Sequence, residues 1–315
     1  MVITVTLNPA LDKTIVLDTL QVGQVNRIQT IQNDMGGKGI NVSKGLNEFK
    51  VPTMALGFLG GPLESVFREE LRDLNIVDKF ISIQGVTRTN IKIVDQKNKT
   101  YTDINEQGPI IREDELHRFI KSYEKVVDKG DIVVIAGGLS LGIPAQFYGT
   151  LTAVAKEKGA YVIVDAEGEA LKNALTQIPD VIKPNEKEFS RLYGVEDLSE
   201  YEMVIKAQGL IEKGVEKVLI SRGHLGSILI TKDQVLLAGC LDVDVKSTVG
   251  AGDSMVSALV YSYINKLSDE DTLAMAQAAG ASTVMTEGTK VCTLKEVKEK
   301  LKWAKEKITQ EKRYK

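Results

Sequence analysis

One segment, Val245 to Ala258 (VKSTVGAGDSMVSA), combines residue types that suit phosphoryl chemistry. Gly250, Ala251 and Gly252 come directly before an acid, Asp253, at the start of an apolar-periodic run of Met255, Val256, Leu259, Val260 and Ile264. That run predicts a helix. The preceding Leu241 to Val245 alternates like the end of a strand. A helix start under a loop of small residues offers backbone N–H groups and the positive end of the helix dipole, which attract anions. A carboxylate there has two uses. It caps the helix, for which Asp is favoured, or it serves as general base beside a transferring phosphoryl group. The segment alone leaves both open.

Other segments carry similar pairs of readings. Gly36-Gly37-Lys38-Gly39-Ile40-Asn41 precedes a helix pattern with Val42, Leu46 and Phe49. Its glycines permit close approach by a ligand, Lys38 is a point charge, and the Asn41 amide can read hydroxyls. A flexible turn before a helix explains it equally well. Asn185 and Glu188 have capping-box spacing at a helix start that follows Lys183. The other use of Glu188 is Mg2+, held through water. Ser221-Arg222-Gly223-His224-Leu225-Gly226 reads as a hairpin turn or as a nucleotide phosphate loop, with His224 a loop residue and His117 on a surface helix. Asp12, in the loop after the first strand, caps a turn or accepts hydrogen bonds from neighbouring hydroxyls of a polyol. Arg88 is a solvated arginine or a fork donor for a phosphate, and Arg27 is a second candidate for that task.

The elements that must position these residues alternate. Strand patterns at Val2 to Leu7, Ala55 to Leu59, Ile132 to Ala136, Tyr161 to Val164, Val181 to Ile182 and Val218 to Ser221 are separated by helix patterns, one of them starting at Pro144. Such alternation predicts an α/β fold with a parallel sheet covered on both faces, and ligands then bind at the carboxyl ends of the strands. Two β-rich stretches, about 13–33 and 80–105, do not fit the alternation; paired into a small separate sheet, they would form a lid. Exposed edges on such a flap favour a second copy, so a homodimer through the lid is expected. Ser268-x-x-Asp271 and Thr293-x-x-Glu296 are capping-box-like starts, and the Lys-rich tail from Lys295 to Lys315 reads as a solvated helix.

With 315 residues, 43% hydrophobic and 26% charged, the chain has the composition of a soluble globular protein, and a net charge of −3 suggests no nucleic-acid surface. Cys240 and Cys292 are too few and too far apart for a disulfide framework or metal spacing and read as buried small hydrophobes. No leader pattern or membrane-spanning run is present, so a cytoplasmic location away from membranes is expected. There is no Walker A loop and no Gly-x-Gly-x-x-Gly after a strand, which disfavours an NAD-linked oxidoreductase.

Together these residues resemble the ribokinase-like PfkB family of carbohydrate kinases. GGKGIN looks like its first signature, STVGAGDSMV like its second, and KPNEKE matches its Asn-x-x-Glu motif, in order over essentially the whole chain. TLNPALD, Thr87-Arg88 and Asn105-Glu106-Gln107-Gly108-Pro109 look like the hexose-phosphate kinase branch, nearest its fructose-1-phosphate kinases and then its tagatose-6-phosphate kinases. The resemblance implies one α/β/α three-layer domain over 1–315, with a mostly parallel sheet and the small β-sheet lid. It implies ATP-dependent phosphorylation of a ketohexose monophosphate, fructose 1-phosphate giving fructose 1,6-bisphosphate, with tagatose 6-phosphate or fructose 6-phosphate as alternative acceptors. By it Asp253 is the base, and the amides of Gly250, Ala251 and Gly252 form an anion hole. Asp12, Gly37, Lys38 and Asn41 hold the sugar and Arg88 its phosphate. Lys183, Asn185, Ser221, Gly223 and Gly226 surround ATP, and Glu188 belongs to the Mg2+ network. Relatives often carry Ser-Gly-Ser where this chain reads Ala136-Gly137-Gly138, so a serine contact to the substrate phosphate is missing. A silent sugar-phosphate sensor on the same fold would have lost Asp253 or the glycine loop, and both are intact.

Overall fold

The computed structural model describes residues 1–286 and 290–311. The chain begins with β1 (Val2–Thr6), β2 (Ala10–Leu17), β3 (Thr30–Gly36), α1 (Lys38–Glu48), β4 (Thr53–Gly60), α2 (Leu63–Asp73), β5 (Val77–Asp78), β6 (Ile81–Ile83), β7 (Arg88–Asp95) and β8 (Thr100–Asn105). It continues through α3 (Glu113–Val126), β9 (Ile132–Ala136), α4 (Phe147–Glu157), β10 (Tyr161–Asp165), α5 (Gly168–Leu175), β11 (Val181–Ile182), α6 (Glu186–Leu192) and α7 (Glu200–Glu212). The last part holds β12 (Lys217–Ser221), β13 (Ser227–Thr231), β14 (Val235–Ala238), α8 (Ala251–Ile264), α9 (Asp269–Val284), α10 (Leu294–Glu306) and β15 (Ile308–Gln310).

The large sheet runs β15-β14-β13-β12-β11-β10-β9-β1-β4-β5, with β6 also on β4. It is parallel from β5 to β12 and antiparallel from β12 to β15. β1, β9 and β10 are buried along their whole length, as a parallel sheet with both faces covered requires. Strand alternation splits their side chains between two cores. Ile3, Val5, Val133 and Ile135 pack toward α3 to α7, while Val2, Ile132, Val134 and Ile163 pack toward α1, α8, α9 and α10. Each fully buried aliphatic side chain contributes roughly 1.5–3 kcal/mol. A second sheet of four strands, β3-β2-β7-β8, holds the two stretches that broke the alternation. Its strands start at Ala10 and end at Asn105, and Ile81–Ile83 pairs with β4 in the large sheet instead.

Several local expectations need correction. Leu241 to Val245 forms no strand. The free edge of β14 is taken by β15, so this segment has no ladder to join. The helix expected at Pro144 starts at Phe147, because the Phe147 N–H bonds the Pro144 carbonyl in a tighter turn. Cys240 is exposed; only Cys292 is buried. In the Lys-rich tail the helix stops at Glu306 and Ile308–Gln310 turns into a strand, while 312–315 lies outside the described residues. Among the described residues no helix is long and apolar enough to cross a membrane.

Candidate active site

The carboxyl ends of the parallel strands and the second sheet enclose a cavity of about 1000 Å³. It is lined by Asp253, Gly250, Ala251, Gly252, Asp12, Gly37, Lys38, Asn41, Arg88, Lys183, Asn185, Glu188, Ser221, Gly223 and Gly226. Arg27 is not among them. It is exposed in the connection between β2 and β3, so no phosphate contact follows for it from this chain alone. Leu241, Val243 and Val245 line the same cavity, which accounts for their alternation without a strand.

Asp253 does not cap its helix. Gly250 is the N-cap, in the left-handed region at φ 80°, and Asp253 stands two residues inside α8 with no capping bond from its side chain. Its Oδ2 instead accepts a hydrogen bond from Asn41 Nδ2 at 2.8 Å, and both residues are buried. The first amides of α8 lack intrahelical acceptors and open on the cavity, where the helix dipole favours an anion. Burial pushes the Asp253 carboxyl up to about 6; the neighbouring Asp165 charge adds to the rise, and Asn41, Lys38 and Lys183 oppose it.

Behind Asp253 lies a charged cluster. Asp165 ends β10 fully buried, with Oδ1 at 3.1 Å from Lys38 Nζ and 3.5 Å from Lys183 Nζ. Burial works against its charge, yet the two lysines hold it below the usual carboxylate range. Burial also works against the Lys38 ammonium, but Asp165, Glu188 and Asp253 outweigh that and hold it above its ordinary value. Glu188 serves two partners. Its Oε2 accepts from the Asn185 N–H at 2.8 Å, completing the capping box, and its Oε1 faces Lys38 at 3.4 Å. Asp165 was visible in the sequence only as a polar residue at a strand end; its pairing with two lysines from other elements is tertiary.

The second sheet presents a polar face to the cavity. Asp12 and Thr14 of β2, and Arg88, Asn90 and Lys92 of β7, alternate on that face. Asn90 Nδ2 donates to Asp12 Oδ1 at 2.9 Å, and burial raises the Asp12 carboxyl against the pull of Asn90 and Arg88. Arg88 donates to the carbonyls of Glu106 (2.9 Å) and Asn8 (3.1 Å). Burial lowers its guanidinium from the usual value. Buried polar atoms without a partner gather around this space: Thr6 Oγ1, Asn8 Oδ1, Asn41 Oδ1, Asn90 Oδ1, Arg88 Nε and Asp165 Oδ2. Unpaired buried groups are costly, so their concentration in one cavity points to a hydroxyl-rich, charged ligand. Asn90 and Lys92 escaped the sequence reading, although their period-2 spacing from Arg88 was there to be used.

Residues 5–296 match the sequence pattern of pfkB family carbohydrate kinases. The chain belongs to that family. A 1-phosphofructokinase of Bacillus subtilis (strain 168) is 33% identical to this pfkB kinase over 287 residues, covering 91% of this chain and 93% of that protein. The crystal structure of Escherichia coli phosphofructokinase-2 in complex with substrates and products superimposes with a TM-score of 0.91 at 26% identity, over 96% of this chain and 99% of that one. Arabidopsis thaliana ribokinase, at 22% identity and a TM-score of 0.74 over 96% of this chain and 98% of that one, shares the fold. This pfkB kinase is thus a carbohydrate kinase, a phosphotransferase with an alcohol group as acceptor, on a ribokinase-like α/β fold with a small four-stranded sheet. Kinases of this family use ATP as phosphoryl donor.

Proposed function

We propose that this kinase transfers the γ-phosphoryl group of ATP to a hydroxyl of a ketohexose monophosphate, with fructose 1-phosphate the acceptor and fructose 1,6-bisphosphate the product. The observation that carries this is Asp253. A buried carboxylate, tethered by Asn41 and aimed into the cavity, sits beside the open amides of α8 and opposite a polar face that carries Arg88. The 33% identity to a 1-phosphofructokinase favours the 1-phosphate. A fructose 6-phosphate acceptor is the second reading, favoured by the likeness to phosphofructokinase-2 in complex with fructose-6-phosphate, at a TM-score of 0.89.

In this reading Asp12, Gly37, Lys38 and Asn41 orient the sugar and Arg88 holds its phosphate. Asp253 takes the proton of the attacking hydroxyl as the oxygen bonds to phosphorus. The amides of Gly250, Ala251 and Gly252 stabilise the charge spread over the transferred oxygens. Lys183, Asn185, Ser221, Gly223 and Gly226 surround the nucleotide. Among the described residues no group of three His, Cys, Asp or Glu side chains could cage a metal ion. Two oxygens, Asp165 Oδ2 and Glu188 Oε1, do face the cluster, and a hard cation that keeps most of its waters suits such a sparse donor set. Mg2+ there, with Glu188 acting through water, would offset the charge on the ATP phosphates.

The second sheet acts as a lid that excludes water from the reaction. Its other face carries Ile15 and Ile93, half-buried, with Ile31 and Ile104 exposed. Such an apolar face favours pairing of two lids in a homodimer. A cytoplasmic setting fits the need for ATP. An ATP-coupled assay over fructose 1-phosphate, fructose 6-phosphate, tagatose 6-phosphate, fructose and ribose tests the assignment. The highest kcat/KM is expected for fructose 1-phosphate, and a preference for an unphosphorylated sugar would overturn it.

A further inference from the structure

We propose that Lys92 is a specificity-determining residue of the acceptor site, closing with Arg88 on the phosphate group of the sugar. The inference rests on the sugar-phosphate reading above and adds to it a residue that neither motif touches.

Three observations carry it. First, Arg88, Asn90 and Lys92 occupy alternate positions of β7, and all three line the cavity. Lys92 stands opposite Thr14 of β2 on one side and Asp103 of β8 on the other. Its charge is felt at Asp12, whose carboxyl it helps to hold down against burial.

Second, Arg88 is already engaged. Two of its nitrogens donate to the carbonyls of Glu106 and Asn8, and its charge is shared by the carboxylates of Asp12 and Glu106. A phosphate monoester carries a charge of about −1.5 to −2 near neutral pH. One arginine set among two carboxylates does not balance that. Gly138, just after β9, has no side chain to add a donor, and nothing lies within 4 Å of a Cβ built there.

Third, the Lys92 ammonium makes no hydrogen bond or ion pair with any described residue, although it stands among polar groups. Lys38, Lys44 and Lys183 all have carboxylate partners. Four residues of strand separate Arg88 from Lys92 by about 13 Å. The Lys92 side chain would lean toward Asn90 to narrow that gap, and the Arg88 guanidinium, held on the Asn8 and Glu106 carbonyls, would meet the same phosphate through its unpartnered Nε. The pinned Arg88 fork fixes its orientation, and the unpaired ammonium supplies charge.

Steady-state kinetics of the full-length protein, Lys92→Ala and Lys92→Arg test this, with saturating ATP and whichever ketohexose phosphate the unaltered kinase uses, and with fructose as the phosphate-free acceptor. Lys92→Ala is expected to raise KM for the sugar phosphate tenfold or more, as loss of a charge-assisted hydrogen bond does. KM for ATP, kcat and the activity on fructose stay within about twofold, and Lys92→Arg recovers most of the lost affinity. An unchanged KM in Lys92→Ala overturns the inference, as does a rise that Lys92→Arg leaves in place, which would assign Lys92 to lid structure. If the unaltered kinase phosphorylates no sugar phosphate, the functional reading falls and this inference with it. If it does so and Lys92→Ala matches it, only this inference falls.

Discussion

Asn41 donates its side-chain amide to Oδ2 of Asp253 at 2.8 Å, across the packed interface between α1 and α8. The bond selects which carboxylate oxygen remains for chemistry. Oδ1 makes no hydrogen bond among the described residues and is free to meet an acceptor hydroxyl. The sequence separation of 212 residues is bridged because both helices start at the same end of the sheet.

Asp253→Asn keeps the shape and the Asn41 side but removes the proton acceptor. Turnover is expected to fall by about 100-fold or more, the scale of a general base, while ATP and sugar still bind. The same change should stabilise the protein. The folded carboxyl titrates near 6 against a reference of 3.8, so the native state holds its proton more tightly than the unfolded chain does. Stability is therefore full below pH 4 and declines as pH rises toward 6. At pH 7.5 the ionised carboxylate costs on the order of 2–3 kcal/mol. Calorimetry at pH 7.5 should show a higher Tm for Asp253→Asn than for the parent, together with the lost kcat. Near-normal kcat would remove Asp253 from the reaction.

The same titration sets the acid limb of activity. Below a pH of about 6 Asp253 is protonated and cannot accept a second proton. The kcat/KM profile is expected to fall about tenfold per pH unit there. Asn41 hydrogen-bonds the charged form and so pulls the value down. In Asn41→Ala the limb should move to higher pH, whatever the change in KM. A limb that stays put would show that another group controls it.

How much of this was legible beforehand divides along physical lines. The parallel strands Ile132–Ala136 and Val181–Ile182 match their expected spans and α6 starts at the capping box of Asn185 and Glu188, because burial on both faces and a clean capping box write themselves into local sequence. The Leu241 to Val245 alternation misled, since a cavity wall can demand the same period as a strand. The glycine loops and Asp253 were readable from type and spacing. Asp253's freedom from capping was not, because it depends on Gly250 adopting a left-handed conformation three residues before the acid is reached. Asp165 and its two lysines come from three separate elements, so no local pattern joins them.

That cluster makes a prediction about Lys183. Its side chain is 3% exposed and faces Asp165, which is 1% exposed. Removing one partner of a buried pair leaves the other charge stranded, typically at a cost of about 3–5 kcal/mol. Lys38 remains to Asp165 in part, so Lys183→Met should lie toward the lower end. Lys183→Met with Asp165→Asn should recover much of the loss, measured by urea unfolding. Additive losses in the double variant would mean the pair does not interact.

The closeness of α1 and α8 depends on Gly45. A Cβ there would stand 2.5 Å from Ser257 Oγ and 3.1 Å from Ser257 Cβ, and the Ser257 hydroxyl donates to the Val42 carbonyl at 3.2 Å on the same seam. Gly45→Ala gains helix propensity by about 1 kcal/mol in an open setting. Here the methyl must push the helices apart, and overpacking of this kind costs about 1–3 kcal/mol. The shift also acts on Asn41, one turn earlier on α1, and so on its bond to Asp253. Gly45→Ala is therefore expected to lower both Tm and kcat. Adding Ser257→Ala removes the nearest atom and should restore part of each. A Gly45→Ala variant that gains stability and keeps full kcat would show that the seam is looser than its geometry implies, and that Asp253 is held by other means.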